Sequence, residues 1–415
     1  MDCKELKTPA NDSKKQEDQL TEKAISDKIQ ETDVVPKKIP CLNSEITNIS
    51  NKVVPESSSD IPSQMTHPVS DTVVETKVKE VLTCEDKPNP TVPDEKIDST
   101  STTTTKQVNG SVNNSEVCEK LAKDIVKKGV DEILEEFYSL NYGIEEVDLE
   151  LFFNFVNMSR NRYRDIILKD ATRIILEDED NDYIHANYVS TPSNSKRFIC
   201  CQAPLEQTAE HFWKMVLQEE CEYIFMLCHI VEEGREKCHP YYPREVGEKL
   251  VINKLTIENL KLEEHPEEYG LRVCELKIYS DGVLKKTVKH WQYVSWPDRK
   301  VPLLSETIFY TLDNMRVSEK PIVVHCSAGI GRTGTVVFLE NLLEKIENGD
   351  IMKETPAKVL EGIRKQRVMS VQTPMQYLYT HRLLLNHLLK EGKIRESPEL
   401  QKFFQEYDEK YDQHN

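Results

Sequence analysis

The residues best placed to do chemistry lie between Pro321 and Thr335, in the run Pro-Ile-Val-Val-His325-Cys326-Ser327-Ala328-Gly329-Ile330-Gly331-Arg332-Thr333-Gly-Thr. A cysteine and an arginine with five residues between them, two of those glycine, can hold an anion together. Successive N–H groups from Ser327 to Arg332 can curl toward one centre, and a helix starting at Gly331 adds partial positive charge there. The field that favours a phosphoryl group also favours thiolate over thiol, which makes Cys326 the candidate nucleophile. The planar Arg332 guanidinium suits two phosphoryl oxygens at once. Spacing alone discriminates poorly, because Cys238-His-Pro-Tyr-Tyr-Pro-Arg244 shares it. That stretch has two prolines, which lack N–H donors, and no glycine, so it cannot build the cradle.

A loop of this kind needs rigid elements on both sides. Ile322 to Val324 is β-branched and apolar, the signature of a buried parallel strand, and Val336, Val337, Leu339 and Leu343 continue as a helix after the loop. The loop therefore opens at the carboxyl end of a strand, where α/β proteins place their chemistry. Around it the pattern predicts a helix through Phe212, Trp213, Met215 and Val216, a buried strand Tyr223 to Leu227, and a run of strands from Leu250 to Trp296. Asp281-Gly282 marks a hairpin within that run. Thr355-Pro356, Thr373-Pro374 and Ser397-Pro398 read as cap and first-turn pairs of three later helices. Folding begins near Cys118 with a helical pattern that Gly129 weakens. The fold class is α/β, a twisted mixed β-sheet flanked by helices. Residues 1–117 form a disordered acidic tail, 118–391 the catalytic domain, and 392–415 an amphipathic helical tail that packs most simply on the domain.

Composition supports that division. The chain has 415 residues and a formal net charge of −18, which argues against binding a nucleic-acid backbone. Its first 120 residues contain no Phe, Tyr, Trp or Arg, one glycine, and 15 Lys against 22 Asp and Glu, too little apolar surface to offset the entropy of ordering. No apolar run approaches a membrane span, and the first residues do not resemble a signal peptide, so an intracellular, cytoplasmic setting is expected. The 11 cysteines show neither a disulfide framework nor zinc-ligand spacing, and reduced thiols with no metal are expected.

The run His325-Cys326-Ser-Ala-Gly-Ile-Gly-Arg332-Thr333-Gly resembles the signature loop of the cysteine-dependent protein tyrosine phosphatases, in the tyrosine-specific, non-receptor-type branch. The resemblance extends, in the family's order, over 118–391, and implies a protein tyrosine phosphatase-like fold. Trp296-Pro297-Asp298 matches the mobile acid loop, and an aryl phosphate leaves more readily when a carboxylic acid protonates its oxygen. The resemblance implies that Asp298 serves as general acid and then as base. Asn161-Arg162-Tyr163-Arg164-Asp165 resembles the pocket wall, where Tyr163 would stack on the substrate ring and Asp165 would accept a substrate N–H. The match to the glutamine loop makes Gln372, helped by Gln376, the holder of the hydrolytic water. Glu232 would brace Arg332, Lys237 would lie near the acid loop, His325 would tune the thiolate by hydrogen bonding, and the Thr333 hydroxyl would stabilise the departing sulfur. Ser327, Ala328, Gly329, Ile330 and Gly331 would bind the phosphate.

The chain also departs from the family. His185 stands where Asn is usual, Ala203 where Gly is, Tyr242 where Trp is, and Arg299-Lys300 replaces the usual Phe-Gly. Met369 sits where small residues or Pro are common and is a candidate to narrow the pocket. The implied activity is hydrolysis of phosphotyrosine in proteins through a phosphocysteine on Cys326, by a monomeric domain that needs no cofactor. The alternative is a phosphotyrosine-binding module that has lost turnover. A dual-specificity phosphatase is disfavoured by the Tyr163 segment, and a sulfur-transfer enzyme would need neither Asp298 nor Gln372.

Overall fold

The computed structural model describes residues 114–144, 149–177, 179–263 and 265–414. The acidic tail expected to be disordered lies, up to residue 113, outside the described residues. The helices are α1 (Asn114–Ser139), two single turns α2 (Glu150–Phe153) and α3 (Phe155–Met158), α4 (Ala209–Gln218), α5 (Thr307–Met315), α6 (Gly331–Glu347), α7 (Pro356–Arg364), α8 (Pro374–Lys390) and α9 (Pro398–His414). The strands are β1 (Arg173–Ile175), β2 (Tyr183–Val189), β3 (Phe198–Cys201), β4 (Tyr223–Met226), a separate small hairpin of β5 (Val231–Glu232) and β6 (Arg235–Glu236), then β7 (Lys249–Ile252), β8 (Leu255–Glu263), β9 (Leu271–Ser280), β10 (Val283–Tyr293) and β11 (Ile322–His325).

Nine strands form one mixed sheet in the order β1-β2-β3-β11-β4-β10-β9-β8-β7. Its centre is parallel: β11 lies between β3 and β4, with Val324 level with Cys200 and Phe225, while β10 runs parallel to β4. The flanks are antiparallel. Alternation along β11 sends Ile322, Val324 and Cys326 into the core under α1 and α5 to α9, and Val323 into the opposite core under α4. A strand buried on both faces must be apolar throughout, which is why Ile322 to Val324 shows no polar alternation. The β9–β10 turn has φ of 50° at Asp281 and 77° at Gly282, the pair of left-handed residues that a two-residue hairpin requires.

The helix caps form where the sequence places them. Thr355 accepts from the Lys358 N–H, and Thr373 accepts from the Gln376 N–H while the Gln376 side chain bonds back. Gly129 does more than weaken α1: at φ 76° and ψ 169° it breaks the helix into two segments, both of which bury apolar residues. The α9 helix packs into the same core through Leu400, Phe403, Phe404 and Tyr407, with the Arg382 guanidinium 3.5 Å from the Phe404 ring centre.

Candidate active site

At the carboxyl end of β11 the chain turns through Cys326 to Ile330 and enters α6. Cys326 is buried at the base of the turn, and the Gly329 N–H donates to its Sγ at 3.2 Å. Gly329 has φ 72°, and an added Cβ would stand 2.0 Å from the Cys201 carbonyl oxygen, so both backbone angle and space demand glycine here. The loop's outward carbonyls are gripped by Arg367, which donates to Gly329 O at 3.0 Å and Ala328 O at 3.1 Å. Tying those carbonyls back is what a loop needs if its N–H groups are to serve an anion.

The residue at position 185 belongs to that grip. His185 Nε2 lies 2.8 Å from Ile166 O, and Nδ1 lies 3.3 Å from Arg367 Nη2. Burial and the Arg367 charge push the imidazole down to about 3, so the ring is neutral: Nε2–H donates and Nδ1 accepts. Histidine in place of Asn thus keeps a hydrogen bond to the arginine that shapes the loop. Asn187 Oδ1 accepts a further Arg367 bond at 3.1 Å.

Arg332 opens α6 and is held on two sides. Glu232, on β5, accepts from Nη1 at 2.7 Å and Nη2 at 2.9 Å, and Asp298 Oδ1 accepts from Nη2 at 3.1 Å. Asp298 Oδ2 also accepts from Lys237 Nζ. Burial pushes the Asp298 carboxyl up, but the Lys237 hydrogen bond and the charges of Arg332, Lys237 and Arg299 outweigh it and hold the carboxyl below its usual range. The acid loop is pinned at its base, where buried Trp296 donates through Nε1 to Lys300 O at 3.0 Å. Asp298 sits at the apex of that five-residue closure.

Tyr163, Lys237, Asp298, Arg299, Cys326, Ser327, Ala328, Gly331, Arg332, Gln372 and Gln376 line one cavity of about 50 Å³. The Tyr163 hydroxyl lies 2.8 Å from Ser327 Oγ, which donates to Lys237 O at 2.8 Å. Gln376 is turned inward to its cap: its Oε1 accepts from the N–H of Gln372 at 3.0 Å and Thr373 at 3.3 Å. Gln372 is exposed, and its Oε1 lies 3.1 Å from where a Gly331 Cβ would stand. Asp165 is half-buried, outside the cavity lining, and makes no hydrogen bond among the described residues.

The surroundings of two further residues are resolved. The His325 ring reaches the nucleophile through its backbone, not its sulfur: Nδ1 lies 3.1 Å from the Cys326 carbonyl oxygen and Nε2 lies 2.7 Å from the Tyr241 hydroxyl. Because that carbonyl only accepts, Nδ1 carries the proton, and Tyr241 donates to Nε2 while accepting from His290 at 2.7 Å. His325 therefore orients the Cys326 backbone. Met369 does not line the cavity; its N–H donates to Tyr142 O at 3.0 Å with φ 61°. The Thr333 hydroxyl is buried with no hydrogen-bond partner among the described residues.

Arg367, Arg364 and Tyr241 escaped the sequence reading. Arg364 donates to Ser370 O at 3.0 Å and Val371 O at 3.1 Å, fixing the glutamine loop from inside the core. An arginine near a helix end looks like a solvated charge, and its only warning was that both arginines lie in an otherwise amphipathic turn. Tyr242, in place of Trp, donates to Gln292 Oε1 at 3.1 Å and stacks on His290. The Ala203 N–H donates to Ser327 O at 2.9 Å. Among the described residues no group of three or more His, Cys, Asp or Glu is arranged to hold a metal ion, and no helix is long and apolar enough to cross a membrane.

A family model described as protein-tyrosine phosphatase matches residues 157–386. Tyrosine-protein phosphatase 1 of Caenorhabditis elegans is 33% identical over 320 residues, which cover 74% of this chain and 30% of that protein. The protein-tyrosine-phosphatase PTP1 of Arabidopsis thaliana is 35% identical over 246 residues, 57% of this chain and 72% of the plant protein. A solved structure titled "Structural basis of PTPN18 fingerprint on distinct HER2 tyrosine phosphorylation sites" superposes with a TM-score of 0.58 at 26% identity, covering 65% of this chain and 99% of that one. The chain thus spans less than a third of the nematode relative's length.

Proposed function

The chain belongs to the protein-tyrosine phosphatase family, and from that premise we propose that it hydrolyses phosphotyrosine in proteins through a phosphocysteine on Cys326. The observation that carries this reading is the convergence of Cys326, Arg332, Asp298 and Gln372 on one small cavity. In the proposed first step Cys326 Sγ attacks phosphorus in line with the phenolic oxygen, and the P–O bond breaks as the S–P bond forms. The loop N–H groups and the Arg332 fork bind the equatorial oxygens, and Glu232 keeps that fork aimed. Asp298 gives its proton to the leaving oxygen. In the second step water held by Gln372 gives a proton to Asp298 and displaces sulfur, which the Thr333 hydroxyl stabilises.

Asp298 rests on Arg332 and Lys237. An arriving phosphate replaces it on Arg332, and the added negative charge favours the protonated carboxyl that the first step needs. The same pairing favours a second reading, a phosphotyrosine-binding module without turnover, since a carboxylate held by two cations is a poor acid. Catalysis is assigned to 118–391 acting as a monomer on protein substrates, with no role for nucleic acid. A cytoplasmic, reducing setting accords with eight unpaired cysteines among the described residues.

Phosphate release from a phosphotyrosine peptide by the full chain, beside a phosphoserine peptide and the Asp298→Ala and Cys326→Ser variants, decides between them. Turnover of phosphotyrosine only, sharply reduced in Asp298→Ala and abolished in Cys326→Ser, is expected. Tight binding without turnover by the unmutated chain would establish the binding module instead.

A further inference from the structure

The residue after the acid carboxylate is the cation in the cavity wall without an evident task. Lys237 is committed to Asp298, and Arg332 to Glu232 and Asp298. Arg299 lines the same cavity, yet it is exposed and makes no hydrogen bond or ion pair among the described residues. That is notable in a chain of formal net charge −18, where carboxylates are plentiful. Its φ of 57° is a left-handed angle that a residue with a side chain adopts at a cost, so the guanidinium is held at the mouth by a strained turn. The closure of Trp296 Nε1 on Lys300 O fixes that turn from below. Beside Tyr163, on the neighbouring wall, exposed Arg164 is a second guanidinium without a hydrogen bond or ion pair among the described residues.

An unpaired arginine at the rim of an anion site offers a fork to a carboxylate. We propose that Arg299 is a specificity-determining residue, which makes the protein prefer phosphotyrosine flanked by Asp or Glu. This rests on the phosphotyrosine reading above. The preference reaches the chemistry as well as binding, because Arg299 and Asp298 are adjacent on one loop. A substrate carboxylate on Arg299 draws that loop over the cavity and neutralises one of the charges that holds the Asp298 carboxyl down. Glu233 and Glu236 are exposed on the β5–β6 hairpin, and Glu236 lies 3.5 Å from Arg162; their negative charge works against an acidic flank, so a preference that belongs to Arg299 must change when Arg299 does.

The test uses the full chain and three phosphotyrosine peptides identical except for Asp/Glu, Ala or Lys flanks. Exposed ion pairs give a gain in kcat/KM of about 2- to 5-fold for each engaged carboxylate at low salt, shrinking at high salt. Arg299→Gln should narrow the gap between the acidic and neutral peptides to what Arg164 sustains, and Arg299→Glu should shift the order toward Lys flanks. A purely structural role for Arg299 would lower all three values together and leave the ranking unchanged, which overturns the proposal, as does equal turnover of all three by the unmutated chain. If the unmutated chain turns over none, the hydrolytic reading fails and not this one: the ranking of dissociation constants in a Cys326→Ser background, with and without Arg299→Glu, then decides. Should Arg299→Glu fold poorly, the Arg299→Gln comparison and the salt dependence decide in its place.

Discussion

Replacing Gly329 by alanine perturbs the phosphate loop by one methyl group. That Cβ would stand 2.0 Å from Cys201 O and 2.4 Å from Cys201 C, both backbone atoms of β3, whereas real Cβ atoms essentially never approach within 3.0 Å. Loop and strand must therefore part by about 1 Å. The left-handed angle of 72° adds a conformational cost of about 1–2 kcal/mol for any residue with a Cβ. The displaced group is the amide that donates to Cys326 Sγ at 3.2 Å. Misplacing a reacting group by about 1 Å costs on the order of 100-fold, or about 2.7 kcal/mol of transition-state stabilisation. Gly331→Ala makes the contrast, because the atoms nearest its Cβ are the side-chain ends of Gln372 and Gln376, at 3.1 and 3.2 Å. It should cost less than about 10-fold, mostly in hydrolysis of the phosphocysteine. The assay is steady-state and single-turnover phosphate release from a phosphotyrosine peptide, with thermal denaturation to separate loop damage from unfolding. A Gly329→Ala value within about 3-fold of the unmutated chain, or a heavier loss in Gly331→Ala, would refute the geometry.

Three further outcomes follow from the structure. Lys237→Met removes a hydrogen bond that lowers the Asp298 carboxyl, so the alkaline limb of the kcat/KM profile should move to higher pH; an unmoved limb would deny the coupling. Burial, with the Arg367 charge at His185, holds His185 at about 3, and burial holds His381 at about 4, against about 6.5 unfolded. The stability these groups contribute is complete above about pH 6.5 and is lost as pH falls toward those folded values, up to about 2 kcal/mol each at pH 5. Urea unfolding should show His185→Asn losing less stability than the unmutated chain between pH 7 and pH 5, and equal losses would count against a neutral buried ring. Phe403→Ala empties a site between α9 and the α1–α8 core and should cost about 3–5 kcal/mol, lowering the melting temperature while kcat/KM stays within about 3-fold. A melting temperature unchanged within about 2 °C would mean that α9 does not share that core.

Some of this was local and therefore readable from the chain itself. The apolar run Ile322–Val324, the glycines after Cys326 and the helix from Gly331 state a strand, a tight loop and a helix by backbone preference alone. The same holds for the left-handed pair Asp281-Gly282 and for the Thr-Pro caps, whose partners lie within four residues. Cys326 and Asp298 were found because their chemistry depends on neighbours next to them in the sequence. The contacts that finish the site could not be found that way. Arg332 meets Glu232 across 100 residues, and Arg367 reaches Gly329 across 38 and His185 across 182. No local preference encodes which buried carbonyl an arginine will meet; that is settled only when β3, β11 and β4 lie side by side and close packing leaves each buried donor one acceptor. For the same reason the sequence named His325 as important but only the packed structure decided its partner, turning its ring to the Cys326 carbonyl and to Tyr241, 84 residues away.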